Sequence, residues 1–337
     1  MKDLILGIDT SNYKTSIALT DLEGNILVDK RIFLNVKQGE RGLRQSHALF
    51  QHVQNLPILM KEAFSTQHGK ICAVCASSRP RPIENSYMPC FTAGTSLGKS
   101  LASTLSVPYY ETSHQEGHIE AIISKMSDLT DEFLVHHNSG GTCEILKVKY
   151  LKTGYDIEII GGSKDISFGQ LLDRVGVALN MVFPAGAEMD NIAVTTNSTS
   201  DFLKPITVKE PYINLSGIET QAQRIIEKIL KNDEIDILMS NQLIKELFEK
   251  ISKAIYEMGK LASKQHGLNN VILVGGVSSS RYIRNRINEF STAALNNKNT
   301  IKNDISTAFV FGDADFSSDN AIGVALLGGK MYGNKTN

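Results

Sequence analysis

Leu4-Ile5-Leu6-Gly7-Ile8-Asp9-Thr10-Ser11 is a short apolar run that stops at an acid and two hydroxyls. Such a run, too short for a helix and closed by turn residues, reads as a buried strand. Ser16–Asp21 reads as a second strand, and Asn25-Ile26-Leu27-Val28, after Glu23-Gly24, as a third, giving a β-meander. The same opening recurs at Phe133-Leu134-Val135, which runs into Asn138-Ser139-Gly140-Gly141-Thr142 and a strand from Cys143 to Val148. Two units that start alike predict a duplicated α/β fold, with two lobes packed around a cleft. The first lobe is expected over residues 1–125, completed by a C-terminal helical region at 305–337, and the second over 126–304.

Around these strands the spacing predicts helices over about 49–64, 95–105, 168–181, 218–230 and 241–265, with a last one starting at Asp319. Val271–Val274 predicts a strand that enters Gly275-Gly276-Val277-Ser278, with a helical Ser280–Arg284 after it. The chain has 337 residues, enough for two cores, and its 42 % hydrophobic content without Trp is ordinary for an α/β protein. No apolar run approaches the ~20 residues of a membrane span. The first residues lack the layout of a signal peptide, so a cytoplasmic location and no membrane partner are expected. Four cysteines suit a reducing compartment. Cys72 and Cys75 lie on one short strand pattern, where residues three apart face opposite ways, so they read as buried thiols. A net charge of −1 means that any RNA partner must be held by a local patch or by another subunit.

The chemistry-bearing residues begin with His114 and His118, in His114-Gln115-Glu116-Gly117-His118. On a helix this spacing puts both imidazoles on one face, within reach of one metal ion. Taken alone, it describes a helix-surface pair equally well. Glu116 lies two residues from each, about 200° around the helix, so it faces away and cannot be a metalloprotease general base. Ser139-Gly140-Gly141-Thr142 offers unobstructed backbone N–H groups of the kind that cradle phosphates, although plain turns look the same. Asp173 sits off the stripe Leu171, Leu172, Val175, Ala178, Leu179, Val182, between Gly169 and Gly176, which would leave a flat surface for a ribose diol. Gly186 allows close backbone approach, and Asp190 could accept a further hydroxyl. Gly275-Gly276 before a helix could seat a nucleotide on that helix N-terminus. Asp319 reads as a helix cap, or as the carboxylate of a two-His-one-carboxylate set suited to iron(II) or zinc.

In this order the pieces resemble the bacterial tRNA threonylcarbamoyl-adenosine transferase family, once misnamed a sialoglycoprotein endopeptidase, within the actin/hexokinase/heat-shock ATPase superfold. The resemblance runs from Gly7-Ile8-Asp9-Thr10-Ser11 through the histidine motif, Ser139–Thr142, Phe168-Gly169 with Asp173, Pro184-x-Gly186, Leu215-Ser216-Gly217 and Gly275–Ser278 to Ser318-Asp319-Asn320-Ala321. It implies that His114, His118 and Asp319 hold one divalent metal, iron(II) or zinc. It implies that His137, Asn138, Ser139, Gly140, Gly141, Asp173, Gly186, Asp190 and Ser280 bind an AMP- or ATP-type adenylate. The implied donor is threonylcarbamoyl-AMP and the acceptor tRNA, with a homologous scaffold subunit and a small ATPase as partners.

The chain also departs from that pattern. Tyr13-Lys14-Thr15 stands where the family carries Asp-Glu-Thr, Arg79-Pro80-Arg81-Pro82 where it carries a Gly-Pro-Gly loop, and the His of Ser-Gly-Gly-His-Thr is absent. Ser280 stands where Asn is usual. The departures gather on the acceptor side and point to a diverged paralogue. Two alternatives stay open: carbamoylation of another acceptor, or a non-catalytic nucleotide-binding regulator of a true family enzyme. A sugar kinase of the same superfold gives no account of the histidine pair.

Overall fold

The computed structural model describes residues 2–11, 13–37, 40, 42–67, 69–126, 129–230, 236–296, 307–313, 316 and 320–336. The meander is present as β1 (Lys2–Asp9), β2 (Lys14–Asp21) and β3 (Ile26–Phe33), each antiparallel to the next. β4 (Gly69–Arg79) and β5 (Tyr109–Ser113) extend the sheet in parallel on the other side of β1, giving the order β3-β2-β1-β4-β5. The second lobe repeats this plan. β6 (Glu132–Asn138), β7 (Cys143–Leu151) and β8 (Gly154–Ser163) form the antiparallel meander, and β10 (Asn270–Val274) and β11 (Ala308–Phe311) add in parallel beside β6. A short β9 (Tyr212–Ile213) closes the far edge, so the second order is β11-β10-β6-β7-β8-β9. The duplication expected from the two opening turns is therefore a match of strand order and direction.

Helices α1 (Gln45–Thr66) and α2 (Phe91–Leu105) cover one face of the first sheet, over Leu4, Leu6, Ile8, Ile17 and Val74. The other face is covered by the last helix, α9 (Ile322–Thr336). This two-sided burial explains why β1 reads as a continuous apolar run. The second sheet packs α4 (Phe168–Ala178), α5 (Gly186–Thr195), α6 (Ser216–Ile229), α7 (Ile237–His266) and α8 (Arg281–Asn296) on one face. Its other face receives α3 (His114–Ile123), whose Ile119, Ile122 and Ile123 join Phe133, Val135, Leu146, Ile272 and Leu327.

Several expectations are corrected. The helix expected to run to about Met181 stops at Ala178, because Leu179 leaves helical geometry and Asn180 turns left-handed at φ 66°. Val182, placed on its apolar stripe, is instead exposed. Gly186 opens α5 rather than lying in a turn, so Asp190 is a helical residue. The crossing back to the first lobe comes later than residue 305, since β11 still belongs to the second sheet. The last helix starts at Ile322 rather than Asp319, and Asp319 lies outside the described residues. β5, β8, β9 and β11 have no counterpart in the sequence pattern read above.

Candidate functional site

β5 delivers the chain directly into α3. Ser113 caps that helix: its side chain accepts from the Glu116 amide, and Glu116 Oε2 accepts from the Ser113 amide at 2.8 Å, a reciprocal capping box. Glu116 is thus spent on the cap and on Thr112, and it faces away from the imidazoles as its spacing requires. His114 and His118 stand on the opposite face, with their Nε2 atoms 3.0 Å apart.

Asp9, at the end of β1, fixes the first of these rings. Its Oδ1 lies 3.0 Å from His114 Nδ1 and accepts from Ser77 Oγ, and its Oδ2 accepts from Ser11 Oγ at 2.8 Å. A carboxylate can only accept, so His114 Nδ1 carries the proton and Nε2 presents its lone pair. This is the carboxylate–histidine support that orients metal-ligating imidazoles. Two nitrogens about 2.1 Å from one metal at a right angle stand roughly 3 Å apart, the separation found here. The pair therefore fits a metal. Among the described residues no group of three His, Cys, Asp or Glu is arranged to hold one, and Asp319 lies outside them.

Behind Asp9 is a further buried imidazole. His52 of α1 contacts Thr15 Oγ1 through Nδ1 at 2.9 Å and the Ser11 carbonyl through Nε2 at 2.7 Å. Burial depresses its pKa, so it serves as a neutral strut under the Ser11 turn. Neither Asp9 nor His52 was singled out in the sequence. The available signal for Asp9 was an acid at the end of the first strand.

The structure divides His137 and Asn138 between two faces of β6. His137 turns towards α3, its ring 5.0 Å from that of His118, so it stands beside the histidine pair. Asn138 turns the other way, and its Nδ2 reaches Ser278 Oγ at 3.3 Å. The Ser139–Thr142 turn links β6 to β7 through Ser139 N to Thr142 O at 2.8 Å. A Cβ on Gly141 would meet nothing within 4 Å, so its face is open.

Gly169 and Gly176 do not leave the flat surface expected beside Asp173. A Cβ on Gly169 would strike the backbone of Ser139 and Gly140, and one on Gly176 would strike Ala185. The first glycine lets α4 press against the Ser139–Gly140 turn, and Ser167 Oγ ties that helix to Gly140 O at 2.8 Å. Asp173 itself lines a cavity of about 380 Å³ with Tyr13, Gly140, Gln170, Arg174 and Phe183. Its Oδ1 accepts from the Ala185 amide at 2.9 Å. Burial raises its pKa to about 6, against the opposing pull of the Ala185 and Gly186 amides. Tyr13 of the first lobe meets Phe183 of the second across this cavity, ring centroids 5.2 Å apart. Gly186, at the start of α5, has open space where a Cβ would stand.

Asp190 and Ser280 are bonded to each other. Asp190 accepts from Ser280 Oγ and from the amides of Arg281 and Tyr282, at 3.0 and 3.1 Å. The protein's own carboxylate therefore occupies the N-terminus of α8, where the sequence had suggested a nucleotide. Lys14 lies over the Phe33 ring at 4.5 Å. Arg81 reaches out of its loop to Glu144 of β7, with Nη2 2.5 Å from Oε1. Cys72 and Cys75 are buried on β4, and burial raises both thiols.

Residues 34–309 match the sequence profile of tRNA N6-adenosine threonylcarbamoyltransferase (TsaD). A protein of that name from Thermosipho melanesiensis is 28 % identical, over 98 % of this chain and 95 % of its own length. Another, from Neorickettsia sennetsu, is 26 % identical over 86 % and 84 %. Among solved structures, component A of the (R)-2-hydroxyglutaryl-CoA dehydratase of Acidaminococcus fermentans superposes with a TM-score of 0.56 at 11 % identity, covering 98 % of this chain and 99 % of that one. A ROK family glucokinase from Streptomyces griseus, in complex with glucose and AMPPNP, gives 0.51 at 11 % identity, covering 96 % and 99 %. At such identities these likenesses speak for the fold alone, the two-lobed actin/hexokinase-like architecture.

Proposed function

The chain belongs to the tRNA N6-adenosine threonylcarbamoyltransferase family, a family of acyltransferases, and from that premise we propose that it moves a threonylcarbamoyl group from threonylcarbamoyl-AMP to adenosine in tRNA with the help of a bound metal. The observation that carries the reading is the histidine pair, its Nε2 atoms 3.0 Å apart and one ring oriented by Asp9. His114 and His118 would hold the metal, with Asp319 as the third protein ligand, and iron(II) or zinc suits such a set. When bound, the metal supplies Lewis-acid polarisation of a carbonyl.

The chain's own residues bind and orient the donor. The cavity between Tyr13 and Phe183 takes the nucleoside, and Asp173 accepts a ribose hydroxyl there. The Gly140-Gly141 turn receives the phosphate, whose charge rises as AMP leaves, and backbone N–H groups preset for that charge lower the barrier. Gly186 allows the nucleoside to approach the backbone, while the Asp190–Ser280 pair holds α8 in place behind the Gly275-Gly276 turn. The acceptor amine attacks the carbonyl carbon as the bond to phosphate breaks, so no covalent protein nucleophile is required. The buried cysteines agree with this, the Cys90 thiol being pushed up to about 12 by burial.

The apolar groove of about 630 Å³ between α1 and α2, lined by Leu49, Val53, Leu56, Leu97 and Leu101, offers a seat for a protein partner of the scaffold kind. Such a complex would work in the cytoplasm; no described helix is long and apolar enough to cross a membrane. Lys14 and the Arg81 loop favour a second reading in which the acceptor is not tRNA, or in which the chain only regulates a family enzyme. Incubation with threonylcarbamoyl-AMP and unmodified tRNA, with and without bacterial partner proteins, separates the readings. Modified adenosine is expected. Hydrolysis of the donor alone points to another acceptor, and inertness with intact adenylate binding to the regulator.

A further inference from the structure

We propose that Arg81 is the receptor for a carboxylate on the acyl half of the donor, and so decides which carbamoyl-type group the site accepts. The inference rests on the transferase reading and names a substrate feature of the same site.

Arg81 sits in the loop after β4, and that loop is fastened to the histidine helix by the Gln115 amide, which donates to Pro80 O at 3.0 Å. Its guanidinium crosses to the second lobe, where Nη2 meets Glu144 Oε1 at 2.5 Å, while Glu144 Oε2 accepts from Gln115 Nε2 at 2.8 Å. Glu144 is paired across the strands with His137, and the His137 ring lies against His118. Directly opposed residues on neighbouring strands share a face, their Cβ atoms about 5 Å apart. Arg81 thereby reaches β7 two residues past Thr142, at the strand position that faces His137.

The guanidinium is only half used. Nε–H and Nη2–H point the same way and form the parallel fork that matches the two oxygens of a carboxylate. Here Nη2 has Glu144, but Nε is buried with no hydrogen-bond partner among the described residues. A buried donor left unmatched is destabilising, because it has given up water for nothing. Glu144 cannot relieve it, because its second oxygen is engaged with Gln115. An incoming carboxylate can, by taking both donors of the fork while Glu144 keeps Gln115. The Arg81 side chain is 37 % exposed while Nε itself is covered, so a carboxylate takes the fork as the guanidinium swings off Glu144. A phosphate has its own place on the glycine turn, which leaves the acyl half as the source. A threonylcarbamoyl group carries one carboxylate, and a bare carbamoyl group carries none, so the fork separates the two.

The test is calorimetric titration of AMP-saturated protein with N-carbamoyl-L-threonine and with its uncharged amide. The acid is expected to bind roughly tenfold tighter than the amide. Arg81→Ala should erase that preference and leave AMP affinity unchanged, and Arg81→Lys should restore part of it. Glu144→Gln, which frees the fork, should strengthen acid binding. A preference that survives Arg81→Ala, or its absence from the unaltered protein, overturns the proposal and leaves the adenylate reading intact. Equal loss of acid and AMP in Arg81→Ala, or weakened acid binding in Glu144→Gln, assigns the pair to holding the lobes together and also overturns it. The transferase reading stands or falls separately, on AMP binding and acyl transfer to tRNA.

Discussion

Asp173 is held in an environment that its charge disfavours. Its pKa is raised from 3.8 to about 6 by burial, so the folded state keeps the proton more readily than the unfolded chain. The sign of the linkage follows. Between about pH 4 and 6 the stability contributed by this group declines as pH rises, and above 6 it stays at its unfavourable plateau. Asp173→Asn should therefore raise stability at pH 7 by about 1–3 kcal/mol in chemical denaturation. The same change should weaken AMP, since it removes the carboxylate proposed to accept the ribose hydroxyl. AMP affinity of the unaltered protein should also fall as pH drops through about 6. A substitution that stabilises without touching AMP binding would remove Asp173 from the site.

Asp9, at the same scale, has its oxygens matched by Ser11, Ser77 and His114. The protein as purified is expected to carry about one transition metal per chain, lost in His114→Ala. Asp9→Asn should lower metal affinity about 10–100-fold by releasing the ring, while His114 and His118 remain. Equal metal content in Asp9→Asn and the unaltered protein, measured by mass spectrometry across a chelator titration, would show that the carboxylate does not orient the ligand.

At the scale of elements, the histidines are placed by a contact between two helices. Gly117 on α3 faces Gly323 on α9, and a Cβ on Gly323 would collide with the Gly117 carbonyl oxygen. Only a backbone without side chains lets the helices come this close. Gly323→Ala should cost roughly 1–3 kcal/mol and push α3 away, so metal content should fall along with the melting temperature. A variant that melts lower but keeps its metal would separate helix packing from ligand placement.

Elements were legible in the sequence where one face or both are uniformly buried. β1, β2, β4, β6 and the cores of α1, α6 and α7 fall in this class. β5 was hidden because Tyr109–Ser113 feeds into α3 with no intervening turn. α5 was hidden by Pro184-Ala185-Gly186, a sequence that reads as a turn and in fact starts a helix. The histidine pair was legible because helical spacing is local. Asp9 and His52 were not, since they reach the site across 105 and 41 residues of chain and no periodicity encodes such contacts. The glycines of α4 suggest room for a ligand, but that room is filled by the Ser139–Gly140 turn at Gly169 and by Ala185 at Gly176.

For the whole molecule, the matched strand orders mean that each lobe presents its opening turn to the same cleft. A ligand held between Tyr13 of one lobe and Asp173 of the other should stabilise both as one unit. AMP at a hundredfold excess over its Kd should add about 2.7 kcal/mol to unfolding and sharpen a two-step melt towards one step. A shift confined to one transition would place the nucleotide within a single lobe.

The return of α9 to the first sheet bears on how the protein is made. Domains commonly fold in the order in which the ribosome releases them. Here the first five strands emerge early, but the helix that covers Ile5, Ala73 and Cys75 is translated after every strand of the second sheet. Until then the nascent first lobe shows an apolar face, and its histidine helix lacks its neighbour. The surroundings of the histidine pair are thus among the last parts completed, and a prematurely terminated chain would present that uncovered sheet to chaperones and proteases.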